Sequence, residues 1–139
     1  MRAVYDVNQT REYFDPKEKE PRTIFMLGVL DAQEQKYLDS QFTRTEYGFS
    51  DELDESGNKK VITKMTSNQA EKSYEAVRLK LKSVKNFEHT LTFTEHVYPF
   101  GKRSVVSEQS MNAIKPFITE VGTQILRDVT VDEESTKNS

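Results

Sequence analysis

Two histidines, His89 and His96, are the first residues to test for chemistry. The chain has no cysteine and no tryptophan, and histidine is the side chain whose ordinary pKa lies nearest neutrality. The alternation of Phe87, Leu91, Phe93 and Val97 with Glu88, Thr90, Thr92 and Thr94 predicts a strand over residues 87–98. An odd separation along a strand sends two side chains to opposite faces, so His89 and His96 do not converge on one metal from one face. Glu95 shares the His89 side but lies well along the strand, and no third ligand is in range. His89, between Phe87 and Leu91, is therefore expected to be a packed, hydrogen-bonded structural histidine. A small enzyme or metal protein built on His89 is the competing class.

The other chemical patterns are weaker. Asp51-Glu-Leu-Asp-Glu-Ser-Gly-Asn58 is acidic enough to suggest calcium. Counted from Asp51, however, the third position is Leu53 and the glycine position is Ser56; counted from Asp54, the sixth is Lys59 and the twelfth Met65. A solvated hairpin tip is the better reading. Arg78, Lys80, Lys82 and Lys85 could meet phosphates, but on a helix they spread around the axis, and a net charge of −3 gives no general attraction to nucleic acid. No phosphate-binding glycine loop, dinucleotide fingerprint or nucleophile elbow is present. These observations predict a protein that is not an enzyme and needs no cofactor or metal, has no small-molecule substrate, and works by binding or assembly.

The elements that would position such a surface follow from periodicity and caps. Residues 1–22 are polar, with Pro16 and Pro21 around the alternating charges Lys17-Glu-Lys-Glu20, and read as an N-terminal arm. Tyr5, Tyr13 and Phe14 interrupt it; they are candidate partner contacts, set against packing on the protein's own core. Thr23–Leu30 is a short apolar run that suits a buried strand. Asp31 with Glu34 forms a capping-box start for a helix to about Ser40, with Tyr37 and Leu38 inward. Residues 42–49 and 59–65 are strand-like around the Ser56-Gly57-Asn58 turn. Ala70, Tyr74, Val77, Leu81 and Val84 form one stripe, predicting a helix over 67–84 capped by Thr66 or Ser67. Residues 102–106 can pair back on the 87–98 strand. Ser107 caps a further helical stretch with Met111, Ile114, Ile118, Val121 and Ile125 inward, broken at Pro116, which opens a second helix.

The predicted architecture is α+β: a small, mostly antiparallel sheet with helices packed on one face, an arm at 1–22, one domain at 23–129 and a polar tail at 130–139. At 139 residues, 35% hydrophobic and 31% charged, one domain buries roughly two thirds of its unfolded surface. The longest apolar run is too short to span a bilayer, and MRAVYDVNQT lacks a signal-peptide core, so no membrane association is expected.

Three stretches, in order, carry a resemblance. Arg11-Glu-Tyr-Phe-Asp-Pro16 through Pro21-Arg-Thr-Ile-Phe-Met-Leu-Gly-Val-Leu-Asp31 is the first. Tyr74-Glu-Ala-Val-Arg-Leu-Lys-Leu-Lys-Ser-Val-Lys-Asn-Phe87 is the second. Val106-Ser107 through Ile118, Ile125 and the closing Lys137-Asn-Ser139 is the third. Together they resemble a family of small proteins encoded in the virion-morphogenesis region of tailed-bacteriophage genomes. The residues before Asn86 lack that family's Gly-Trp, and those after Phe87 lack its Asp-Gly turn. The resemblance implies a virion structural protein at the head–tail junction, tail or capsid shell, assembled in the host cytoplasm. Its partners would be other phage structural proteins and copies of itself. The alternative it implies is a tail-assembly chaperone absent from the mature virion.

Overall fold

The computed structural model describes residues 6–127; Tyr5 and the expected tail at 130–139 lie outside them. The strand Ile24–Gly28 (β2) is the spine of the core. The apolar run suggests burial on both faces, but burial alternates: Phe25 and Leu27 are buried while Ile24 and Met26 are half-buried. Each exposed edge of such a strand presents unpaired amides and carbonyls that must be satisfied. Two short strands supply the partners. Thr10–Tyr13 (β1) and Leu81–Lys85 (β5) flank β2 in one antiparallel sheet of order β1-β2-β5.

Both flanking strands correct the sequence reading. The segment expected to be an arm contributes β1, whose Tyr13 stacks on Phe25 and whose Arg11 donates to the Gln124 carbonyl at 2.8 Å. Pairing and packing there offset the ordering entropy of a polar segment. The helix expected over 67–84 ends at Lys80, and Leu81 turns into extended backbone without a linker. Leu81–Lys85 can follow a helical or a strand period; pairing with β2 decides between them.

The helix Ala32–Phe42 (α1) starts with the predicted capping box. The Asp31 carboxylate accepts from the Glu34 amide at 2.8 Å, and the Glu34 carboxylate accepts from the Asp31 amide at 2.9 Å. Thr43–Leu53 (β3) and Lys59–Ser67 (β4) form a separate antiparallel hairpin, longer than expected. The helix Gln69–Lys80 (α2) takes Asn68 as its N-cap instead of Thr66 or Ser67, which stay in β4. Its buried residues are Ser73, Glu75, Ala76, Val77 and Leu79, while Tyr74 is exposed. The stripe is rotated because the small Ser73 admits Gly122 of the C-terminal helix.

Phe93–Tyr98 (β6) and Gly101–Val106 (β7) form a third antiparallel pair. The predicted strand over 87–98 is thus shortened; Phe87 and Leu91 pack on the core from an irregular segment. Ser107 caps Glu108–Ala113 (α3), Pro116 lies at the start of a single 3-10 turn, and a helix over 118–127 (α4) follows. Met111, Ile114, Val121 and Ile125 are all buried, as their spacing predicts. The chain is α+β with antiparallel strands; among the described residues they fall into three sheets where one was expected.

A buried ion network ties the layers together. The Glu34 carboxylate has no exposed surface and lies 2.7 Å from the Lys80 amine and 3.3 Å from the Arg103 guanidinium. Arg103 also reaches Asp31 at 3.4 Å. One capping residue on α1 therefore holds α2 and β7.

Candidate interaction surface

The β3–β4 hairpin carries the most unusual surface of the molecule. Its strands are rich in Thr, Val, Ile, Tyr and Phe, which favours extended backbone. Its tip is closed by Asp54, whose carboxylate accepts from the Ser56 and Asn58 amides at 2.9 Å each, and by Gly57 at a φ of +81°. Gly57 adopts the left-handed conformation at no side-chain cost. The acidic loop is thus an Asx-type turn, and one of Asp54's oxygens is already committed to backbone amides. At the base, the Asn68 amide donates to the Phe42 carbonyl at 2.7 Å, and Phe42 packs on the core.

Register then sorts the side chains. Tyr47 pairs with Thr63 and Phe49 with Val61, and directly opposite residues share a face. Around the two aromatics that face holds Thr45, Tyr47, Phe49, Val61 and Thr63, none of them charged at neutral pH, and Lys59 continues it toward the tip. Tyr47 is 76%, Phe49 73% and Val61 65% exposed. A hairpin in water normally packs one face on something; here the aromatic face has no cover among the described residues. Single exposed apolar residues are ordinary, but a contiguous patch marks a contact surface.

A second, smaller apolar surface lies on the outer side of β6–β7. The inner side is core: Tyr98 and Val105 are buried, and the Tyr98 hydroxyl donates to the buried Glu75 carboxylate. Burial and that carboxylate push the Tyr98 hydroxyl far above its ordinary range. The other side presents Phe93, 44% exposed, and Val97, 69% exposed, beside a Glu95–Lys102 ion pair at 3.4 Å, while Val106, opposite Phe93, is buried.

The residues singled out in the sequence are dispersed. His89 Nε2 sits 2.9 Å from the Ser110 hydroxyl, and His96 lies against the Tyr98 ring, 4.3 Å between centroids. Among the described residues, no group of three His, Cys, Asp or Glu could hold a metal, and no helix is long and apolar enough to cross a membrane. Arg78, Lys80 and Lys85 pair with Glu75, Glu34 and Glu12, so these cations do not form a free basic patch. Burial and then Lys80 lower the pKa of the Lys82 amine.

Of the expected partner contacts, Tyr13 belongs to the core margin. It stacks on Phe25 and donates to Glu120; burial, then that hydrogen bond, push its hydroxyl up to about 12. Phe14 lies beneath the Arg22 guanidinium, 4.9 Å from ring centre to cation. Tyr5 is outside the described residues. Tyr47, Phe49 and Val61 take their place as the aromatic surface. Their alternation was visible in the sequence, but the same pattern arises when such a face packs on its own core.

Compared with known proteins, the chain matches no family model, no curated protein and no solved structure.

Proposed function

We propose that this chain is a non-enzymatic assembly subunit of a tailed-bacteriophage virion, at the head–tail junction, tail or capsid shell, working through protein–protein contact. The observation that carries the contact half of this reading is the β3–β4 hairpin face around Tyr47, Phe49 and Val61, uncharged there and left uncovered by the described residues. The virion half rests on the resemblance of residues 11–31, 74–87 and 106–139 to the morphogenesis family.

Mass spectrometry of purified virions, with whole infected lysate as reference, tests it. The reading expects the protein in stoichiometric amounts in the particle. Presence in the lysate with absence from the particle would replace it with the tail-assembly chaperone. Absence of any dependence of particle formation on this protein would remove both.

A further inference from the structure

We infer that the occupant of the hairpin's uncovered face is a second copy of this chain. Tyr47, Phe49 and Val61 seat on the outer β6–β7 face of the next copy, over its Phe93 and Val97, so that copies join head to tail. The inference rests on the assembly reading above and names its partner.

Two apolar sheet surfaces remain exposed in one chain, so neither covers the other there. A contact between copies that joins the two would cover both with one repeated interface. Pairing hairpin on hairpin would leave Phe93 and Val97 in water. Because the two faces differ, the contact is heterologous, the kind that builds rings or filaments.

Charge permits it. From Thr45 to Phe49 and from Val61 to Thr63 the hairpin face carries no charged side chain, and the two charges beside Val97, Glu95 and Lys102, already pair with each other. Joining these faces therefore strands no unpaired charge, the costliest defect an interface can contain. Area permits it too. At roughly 150–250 Å² for a full aromatic side chain, Tyr47 and Phe49 offer about 300 Å² at their exposure. With Val61, Phe93, Val97, the flanking threonines and the Glu95 and Lys102 stems, the contact approaches the ~1,000 Å² at which specific interfaces begin.

Sedimentation velocity on the full-length chain, with Phe49→Glu and Val97→Glu variants, tests the pairing. Both positions are exposed, so thermal melts should match the parent; Tyr47→Glu and Phe93→Glu form a second pair if either variant fails to fold. The parent is expected to form species larger than a dimer. Each variant alone should be monomeric. An equimolar mixture retains one intact hairpin face and one intact β6–β7 face, and should give a species of twice the monomer mass and nothing larger. A monomeric parent, a variant that assembles alone like the parent, or a mixture that stays monomeric would each overturn the inference. If the parent is monomeric yet Phe49→Glu lowers particle yield, the partner is a different protein and the assembly role stands. If particle yield is also unchanged, the assembly role falls with it.

Discussion

Gly122 on α4 meets Ser73 on α2 so closely that a Cβ at 122 would stand 2.5 Å from the Ser73 carbonyl oxygen and 2.6 Å from its Cβ. Two helices approach backbone to backbone only where both side chains are small. This contact explains why α2 buries Ser73 and turns Tyr74 outward. Among the described residues Ser73 Oγ, buried there, has no hydrogen-bond partner, a cost accepted for the close approach.

Gly122→Ala separates two opposing effects. Alanine gains about 1 kcal/mol of helix propensity over glycine. Overpacking against backbone costs about 1–3 kcal/mol, and here the obstacle is main chain that cannot rotate away. The net expectation is a loss of up to about 2 kcal/mol in urea unfolding. A gain in stability would show that the helices separate freely.

Glu34→Gln should be more damaging. It leaves Lys80 without its carboxylate in a largely buried site and weakens the hold on Arg103. Removing one partner of a buried pair costs about 3–5 kcal/mol. Asp31, in the same network, adds a pH signature. Burial acts to raise its pKa, but the Glu34 amide and the Arg103 and Lys80 charges outweigh burial and hold it below the ordinary value. A depressed carboxylate contributes stability that is present above its unfolded pKa and lost as pH falls through the folded one. Asp31→Asn should therefore flatten the acid limb of the stability curve below about pH 4, near the unfolded aspartate value. An unchanged acid limb would contradict the network.

How much of this was readable beforehand depended on whether a signal was local. The Asp31–Glu34 capping box and the Pro116 break are set by neighbouring residues, and both were legible. So was the Met111, Ile114, Val121, Ile125 stripe. Leu81–Lys85 was not, because Leu81 and Val84 continue the helical spacing and only the open edge of β2 draws them into a strand. Thr10–Tyr13 was hidden for a similar reason: four mostly polar residues have no strand signal until β2 offers its other edge. The hairpin was legible as a hairpin. That Tyr47, Phe49 and Val61 face water was not, since exposure depends on what the rest of the chain leaves uncovered.

Tyr13 gives a test of the correction to the N-terminal segment. Its hydroxyl is raised to about 12 by burial and by its hydrogen bond to Glu120. A group raised in the folded state contributes stability that is full below its unfolded pKa and is lost as pH rises through the folded value. Stability should thus fall between pH about 10 and about 12, and Tyr13→Phe should reduce the slope there. Deleting residues 1–14 should lower the thermal midpoint, because it strips β1 from β2. A midpoint equal to the parent's would return this segment to the status of a detachable arm.

The hairpin face tests the central claim. Phe49 and Tyr47 contribute little to the monomer's own fold, so Tyr47→Ser with Phe49→Ser should change unfolding free energy by no more than about 0.5 kcal/mol each, the usual range for surface sites. The decisive measurement is the yield of complete particles when this doubly substituted chain, shown to melt like the parent, is the only source of the protein during infection. The account predicts that particle yield collapses while the protein itself accumulates normally. Parent-level yield from a folded chain lacking its aromatic face would contradict it.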